Sequence, residues 1–421
     1  MMDRITPTKN IAGKSLSASA DDAQVEEEEP PLRAELSVRR LFCNIPFEHW
    51  NDWRWQFRNR IATIEGLSKY IFLSAKERSQ LRLVSAKYPL AITPYYLSLM
   101  NPDDPSDPIR MQAIPSIEEL SKSCISMEDP LAEEAHSVVP GLVHRYPDRV
   151  LMVLTDICPM LCRHCTRKRE WRRGGWVRTP EQFEIMLAYI RQHKEIRDVI
   201  VSGGDPLTLS TDRLEGILAG IRRIEHVEII RIGTRVPVVL PQRVDNELCN
   251  MLSKYAPIWL NTHFNHPNEV TAEAVRACDL LSLAGVPMNN QSVLLKGVND
   301  SAATQIKLCH GLLRSKVRPY YLFQCDNVAG TEHFWTSVDT GVNIIQNMRG
   351  FTSGLAIPTY VIDLPNGGGK IAVGPNYILE HTQEELIVRN YLGKIIHCPN
   401  PGNANTLAEH VDVMCADAIP V

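Results

Sequence analysis

The middle of the chain alternates short apolar runs with helical patterns. Six short apolar or β-branched runs recur between residues 150 and 324, in units of roughly 30 to 45 residues, with helical patterns between them. This alternation is typical of parallel βαβ units and predicts an α/β fold, a partial (β/α)6 barrel. In such barrels the functional residues lie at the C-terminal ends of the strands. The predicted strands are Val150–Asp156, Val199–Ser202, Ile229–Gly233, Ile258–His263, Met288–Leu294 and Pro319–Gln324.

Composition divides the 421-residue chain into four predicted segments. Residues 1–40 are polar and acidic and bury too little apolar surface to fold, so we predict a disordered extension. Residues 41–145 are predicted to be a helical N-terminal region, and 146–335 the barrel core. Residues 336–421 form a C-terminal extension, in which a further strand, Thr359–Asp363, precedes a polar tail with few periodic signals.

Three tryptophans, Trp50, Trp53 and Trp55, lie close together in the helical region. They could form a stacking platform for nucleic acid, but their helical spacing favours a stripe that faces the core. The net charge of −4 also provides no basic excess to attract nucleic acid. We therefore expect no nucleic-acid partner.

The sequence gives no indication of a membrane or of secretion. It contains no uncharged apolar run of about 18 residues, and its N-terminus lacks the apolar region of a secretory signal. These features predict a cytoplasmic protein without a membrane partner. The chain has 11 cysteines, and in a reduced compartment clustered cysteines more often bind metal than form disulfides.

Cys158, Cys162 and Cys165 follow the first predicted strand with the spacing C-x3-C-x2-C. Thiolates are the usual ligands of iron–sulfur clusters. Three cysteines would leave one iron of a [4Fe-4S] cluster open, and an open iron can chelate S-adenosylmethionine. A zinc site needs a fourth ligand, which His164 could supply, but the spacing favours the cluster. It resembles the motif of radical S-adenosylmethionine enzymes.

Two further groups of residues lie at or near the ends of later strands. Gly203, Gly204 and Asp205 resemble the superfamily's Gly-Gly-Glu position, which binds the methionine amino end of S-adenosylmethionine, and glycines permit close backbone approach. His263 and Gln291 are predicted to line the nucleoside. The alternative for these two is an ordinary structural role.

Longer strings resemble the lysine 2,3-aminomutase family in the same order along residues 45–395. The resemblance implies a radical enzyme that uses the cluster, S-adenosylmethionine and pyridoxal 5′-phosphate to migrate an α-amino group to the β-carbon of a small-molecule amino acid. It also implies an electron donor such as flavodoxin or ferredoxin, and a homo-oligomer. The strings include WNDWRWQFRNRI, GLVHRYPDRVL, CRHCTRKR, WLNTHFNHPNE, VRPYYLFQCD and DLPNGGGK.

The same resemblance assigns the pyridoxal phosphate site. Lys370, after three glycines, matches the lysine that binds the cofactor covalently, and Arg145 and Tyr146 match residues that hold it. A phosphate loop is the alternative for GGGK, but the pattern G-x4-G-K-[ST] is absent. Asn366 replaces a glycine common in the family, and asparagine also accepts turn conformations.

Substrate recognition is assigned by resemblance to three charged residues. Arg167 matches the arginine that binds the substrate α-carboxylate, while Asp326 and Asp363 match carboxylates that bind the distal ammonium of lysine. A glutamate enzyme should not keep both aspartates, because they would repel its γ-carboxylate. Two aspartates also accept a guanidinium, so L-arginine 2,3-aminomutase, as used in antibiotic biosynthesis, stays open beside conversion of L-lysine to β-lysine. A non-enzymatic iron–sulfur sensor would not need Lys370 or Arg167.

Overall fold

A computed structural model describes residues 41–172 and 174–400 of the chain. Its centre is a ten-stranded sheet in which the strands lie side by side in chain order, β1 to β10. The predicted disordered extension lies outside the described residues. The strands are β1 Ser137–Val139, β2 Leu142–Tyr146, β3 Arg149–Val153, β4 Asp198–Ser202, β5 Ile229–Gly233, β6 Ile258–Thr262, β7 Met288–Leu294, β8 Val317–Gln324, β9 Thr359–Asp363 and β10 Lys370–Ala372.

Strands β3 to β9 are parallel throughout. All six strands predicted for the barrel are present, and the predicted C-terminal strand β9 is a seventh parallel member. Thus the partial barrel is confirmed. The first strand ends at Val153, earlier than predicted, because Thr155 and Asp156 turn away to bond with the backbone of Trp176.

Helices cover the outer face of the sheet and the N-terminal end of the chain. The helices between strands bury leucine, isoleucine and methionine side chains against the sheet. They are α1 Phe47–Asn51, α2 Trp53–Arg58, α3 Ile64–Leu67, α4 Ala75–Lys87, α5 Pro94–Ser98, α6 Pro108–Ala113, α7 Pro180–Gln192, α8 Thr211–Arg222, α9 Val236–Val239, α10 Asn246–Lys254, α11 Ala272–Leu283, α12 Ala302–Arg314 and α13 Val338–Met348. None of the described helices is long and apolar enough to cross a bilayer.

The predicted helical N-terminal region, residues 41–145, contains two strands at its C-terminal end. Helix α6 ends at Ala113, and β1 and β2 then extend the sheet by antiparallel pairing with β3. The local sequence does not indicate these strands, because β2 is stabilised by a tertiary interaction, its pairing with β3. Trp50 is buried in the core, and the Arg243 guanidinium lies 4.8 Å from the centre of the Trp53 ring. These tryptophans therefore pack within the protein.

The C-terminal segment is more structured than predicted. Strands β9 and β10 belong to the central sheet, so the sheet continues across the predicted boundary at residue 335. The supposed polar tail forms a separate antiparallel sheet, whose strands are β11 Ile378–His381, β12 Glu385–Arg389 and β13 Ile395–Pro399. The sequence does not predict these strands, because they lie largely at the surface and lack a clear alternation of buried and exposed residues.

A buried ion network attaches the cysteine loop to the N-terminal region. Glu119 accepts hydrogen bonds from Arg163 at 2.5 Å and from Lys168 at 2.8 Å, and all three side chains are almost fully buried. Arg163 also donates to the backbone carbonyls of Tyr88 and Pro89. Removing one partner of such a buried network typically costs about 3–5 kcal/mol, because a charge is left uncompensated.

Candidate active site

A cavity of about 620 Å³ lies inside the curved sheet. Every strand from β2 to β10 contributes lining residues, so the sheet must curl around it. The cavity collects side chains that are distant in sequence, as expected where parallel strands converge. Six predicted site residues line it: Arg145, Tyr146, Arg167, Gln291, Asp363 and Lys370. Residues that the sequence did not single out also line it, among them Glu133, Ser202, Arg231 and Asn261.

The loop after β3 carries Cys158, Cys162 and Cys165, all reduced and partly buried. Hydrogen bonds reach two of the sulfurs: Arg235 Nη1 donates to Cys162 at 2.8 Å and the Arg167 backbone N–H to Cys165 at 3.3 Å. Burial and the neighbouring Cys162 raise the pKa of the Cys165 thiol to about 11. The thiols are therefore close enough to disfavour each other's ionisation, which a bound cationic cluster would reverse.

The zinc alternative needs His164 as a fourth ligand. His164 has its Nε2 atom 3.1 Å from Nε2 of His263. Within residues 41–172 and 174–400, no three His, Cys, Asp or Glu side chains converge on a single point. The preference for a cluster therefore continues to rest on the spacing of the three cysteines.

Gly203 and Gly204 lie against the backbone that leads into the cysteine loop. A Cβ atom on Gly203 would collide with Thr155, and one on Gly204 with Asp156 and Ile157. Gly203 also has φ = +145°, which L side chains rarely adopt. The glycines therefore allow the ends of β3 and β4 to approach each other. Their predicted contact with S-adenosylmethionine stays a prediction.

Asp205 is engaged by the protein itself. Its buried carboxylate accepts hydrogen bonds from the Thr234 hydroxyl at 2.7 Å and from the backbone N–H groups of Arg235 at 2.8 Å and Leu207 at 3.1 Å. It does not line the cavity described above. The structure favours a positioning role, in which Asp205 fixes the loop that presents Arg235 to Cys162.

His263 packs beside the cysteine loop and is not among the cavity-lining residues. Its ring stacks on His164 with centroids 5.2 Å apart, and its carbonyl accepts a hydrogen bond from Arg235. Burial, reinforced by Arg235, lowers the pKa of both histidines well below the ordinary range. The pair is therefore neutral, and the predicted nucleoside contact of His263 stays a prediction. Gln291 does line the cavity.

Lys370 begins β10 and points into the cavity from a turn. Asn366, Gly367 and Gly369 all have positive φ, and Asn366 at φ = +57° confirms that asparagine tolerates this position. The Lys370 ammonium donates to Asp363 Oδ2 at 2.6 Å and lies 4.0 Å from the centre of the Phe323 ring. Burial lowers the pKa of Lys370, although Asp363 opposes this effect. A lowered pKa favours the neutral amine that covalent chemistry needs.

The two predicted ammonium-binding carboxylates are neighbours. Burial and then the negative charge of Asp363 raise the pKa of Asp326 to about 7. Asp363 Oδ1 is buried and accepts no hydrogen bond from the described residues, although the Arg145 guanidinium forms an ion pair with it at 3.6 Å. Buried carboxylate oxygens are normally hydrogen-bonded. The pair therefore has unused capacity for a cationic group.

Arg145 and Tyr146, the predicted cofactor holders, lie together at the end of β2. Arg145 donates to the Tyr146 hydroxyl at 3.3 Å, and the Arg149 guanidinium lies 4.2 Å from the centre of the Tyr146 ring. Arg149 also lines the cavity. The group offers an aromatic face and guanidinium donors, which suit a phosphorylated ring.

Arg167 reaches the cavity from the cysteine loop and is held by Glu133. Its Nε and Nη2 atoms donate to the Glu133 carboxylate at 2.9 and 2.7 Å, and its Nη1 donates to the Gly203 carbonyl at 3.0 Å. Although burial opposes it, Arg167 lowers the pKa of Glu133 to about 2. No sequence pattern distinguishes Glu133 from the neighbouring acidic residues, so the contact emerges only from the fold.

Comparison with known proteins supports this interpretation of the fold and loop. Residues 152–307 match the model of the radical SAM superfamily, and this range contains the three cysteines. The partial barrel and the three-cysteine loop together define a radical S-adenosylmethionine enzyme. Residues 345–419, which include Asp363 and Lys370, match the lysine 2,3-aminomutase family model.

Similarity to characterised relatives extends over most of the chain. It is 52% identical to L-lysine 2,3-aminomutase of Clostridium subterminale over 86% of this chain and 87% of that protein. It is 50% identical to L-lysine 2,3-aminomutase of Acetoanaerobium sticklandii over 86% of this chain and 87% of that protein. Glutamate 2,3-aminomutase of Clostridioides difficile is 44% identical to it over 83% of this chain and 82% of that protein. The chain belongs to the lysine 2,3-aminomutase family and is an aminomutase, an isomerase.

The close approach at Gly204 generates a testable prediction. Gly204→Ala should lose most of its bound iron, because the added methyl group displaces the backbone of Asp156 and Ile157 that leads into the cysteine loop. Iron and sulfide content after anaerobic reconstitution is the measurement. Gly216→Ala in α8 is the matched control, since nothing lies within 4 Å of its added Cβ atom. Full iron loading of Gly204→Ala would contradict the packing argument.

Proposed function

We propose that this aminomutase converts L-lysine to β-lysine, using S-adenosylmethionine and pyridoxal 5′-phosphate. The observation that carries the proposal is the buried Asp363 Oδ1 atom, which accepts no hydrogen bond within residues 41–172 and 174–400 and lies beside Asp326 in the cavity lined by Arg167 and Lys370. Among the charged residues of the site, Arg167 is the predicted partner of an α-carboxylate, while Asp363, which lines the cavity, and Asp326 beside it are the predicted partners of a distal cation. Lysine presents a carboxylate and a distal ammonium, so its charges complement these three residues.

The chain's residues fit the two cofactors. Cys158, Cys162 and Cys165 would hold a [4Fe-4S] cluster, which when bound with S-adenosylmethionine and supplied with one electron generates a radical. Lys370 would bind pyridoxal phosphate, whose ring when bound stabilises a radical next to the migrating nitrogen. Arg145 and Tyr146 would hold that ring. The electron would come from an external donor such as a flavodoxin or ferredoxin.

The protein's own contribution is positioning and charge compensation. Arg167 would take the α-carboxylate as a two-pronged charged hydrogen bond, which fixes direction as well as charge. Asp326 and Asp363 would take the distal ammonium, so that the backbone of the substrate is held at both ends. Fixing both ends restricts which carbon faces the radical source.

The carboxylate pair favours a cationic substrate over glutamate. Burial, and next the negative charge of Asp363, raise the pKa of Asp326, and a bound cation would oppose both effects. A γ-carboxylate would add a third negative charge. A guanidinium satisfies the same charge argument as an ammonium, so arginine is the competing substrate to be tested against lysine.

The assignment of Lys370 can be tested by chemical labelling. Borohydride reduction of the protein loaded with pyridoxal phosphate should fix the cofactor on the peptide that contains Lys370, as seen by absorbance and mass spectrometry. Lys370→Ala should lose the label, whereas Lys316→Ala, which removes an exposed lysine paired with Asp279, should keep it. A label on another lysine would refute the assignment.

The pKa of Asp326 predicts how substrate binding depends on pH. Asp326 is mostly neutral below about pH 7 and charged above it, while the lysine side chain stays cationic throughout this range. Affinity for lysine should therefore fall about tenfold between pH 8 and pH 6, following the ionised fraction. Isothermal titration calorimetry is the measurement. Asp326→Asn should bind weakly at both pH values. Wild-type affinity that does not change with pH would contradict the role.

A further inference from the structure

A strap without regular secondary structure, residues 127–136, crosses several parts of the site. The backbone of Met127 pairs with residues 327 and 329, just after Asp326. The carbonyl of Pro130 accepts a hydrogen bond from Asn366 N–H at 3.0 Å, in the turn that carries Lys370. The carbonyl of Leu131 accepts one from Arg145. The strap is thereby tied to three groups of site residues.

The strap brings one acidic side chain, Glu133, to the cavity wall. The preceding residue, Ala132, has φ = +52°, a conformation that non-glycine residues rarely adopt. Such strain persists when the surrounding structure determines the position. Glu133 is 11% exposed and takes hydrogen bonds from Arg167 and, at 3.1 Å, from Arg169. Its place is therefore fixed both by its backbone and by its side chain.

The geometry of the Arg167 guanidinium shows which edge Glu133 uses. The carboxylate sits on the side edge formed by Nε and Nη2, with three contacts of 2.7 to 3.2 Å. One N–H of Nη1 is used by the Gly203 carbonyl. A guanidinium has five N–H groups. Within the part of the chain that the structure describes, one N–H therefore remains on each of Nη1 and Nη2, enough for a further carboxylate.

We propose that Glu133 is a positioning residue for substrate binding, which holds the side edge of Arg167 and directs the remaining N–H groups at the α-carboxylate of the amino acid. This inference rests on the proposed role of Arg167 in binding that carboxylate. It gives a function to a residue outside the sequence motifs. It also explains why a substrate-binding arginine carries an internal carboxylate partner: the partner removes the freedom of a long side chain before the substrate arrives.

The test compares two ligands that differ in the α-carboxylate. L-Lysine and pentane-1,5-diamine are titrated calorimetrically, under anaerobic conditions, into protein loaded with cluster and pyridoxal phosphate. Glu133→Gln keeps the shape but loses the charge and turns an amide N–H group toward Arg167. It should weaken lysine binding on the order of tenfold and change diamine binding less than about twofold.

Asp129→Asn is the matched control. Asp129 lies on the same strap and pairs with Arg169 at 3.2 Å, with no contact to Arg167 among the ion pairs of the described residues. This variant should distinguish lysine from the diamine as the wild type does. Should Glu133→Gln fail to fold, Glu133→Asp keeps the charge but is one methylene shorter, and it should also lose affinity for lysine selectively.

The outcomes separate the possible roles. Equal loss for both ligands would overturn the inference in favour of a purely structural role. Tighter lysine binding by Glu133→Gln would also overturn it, because Glu133 would then compete with the substrate carboxylate. A wild-type protein that binds both ligands equally would instead refute the role of Arg167 itself, and with it the proposal for Glu133.

Discussion

The site depends on how a short loop is held against the end of the sheet. Residues 157–168 carry the three cysteines and Arg167, yet the loop has no regular secondary structure around the cysteines. The buried Glu119 ion network fixes it on one side, through Arg163 and Lys168. On the other side Gly203 and Gly204 permit backbone contact with β4. A buried network is expensive to desolvate, so its presence here is best explained by the need to place this loop.

Paired charges then organise the cavity. Arg167 is balanced by Glu133, and Lys370 by Asp363, while Asp326 keeps a raised pKa beside them. In each pair, a cationic residue that is expected to bind substrate or cofactor forms an ion pair with a carboxylate of the same chain. Charges in a buried site need partners, so a cavity that is to receive a charged amino acid must provide internal partners beforehand. Asp363 Oδ1, which accepts no hydrogen bond from the described residues, marks where a bound cation would complete this compensation.

Much of this architecture was predictable from the sequence, because periodicity reports burial. Strands such as β3, β4 and β5 contain compact apolar runs, and the cysteine spacing locates the cluster loop. Strands β1 and β2 were missed because their pairing with β3 is a tertiary effect. The strands β11 to β13 were missed because they lie at the surface. Glu133 carried no local signal, since its partner Arg167 lies 34 residues away in sequence. Asp205 and His263 lie near the ends of strands, as the sequence predicts. The orientation of their side chains depends on contacts with Arg235 and His164, which the sequence does not reveal.

The most direct test of the account is an anaerobic assay of the reconstituted protein with S-adenosylmethionine, pyridoxal phosphate and a chemical reductant. L-Lysine, L-arginine, L-ornithine and L-glutamate are offered separately, and the products are identified by mass spectrometry and chromatography against β-amino acid standards. The account predicts β-lysine from lysine at the highest rate and no turnover of glutamate. Preferential formation of β-glutamate would contradict it, since the paired carboxylates Asp326 and Asp363 would then fail to select a cationic side chain.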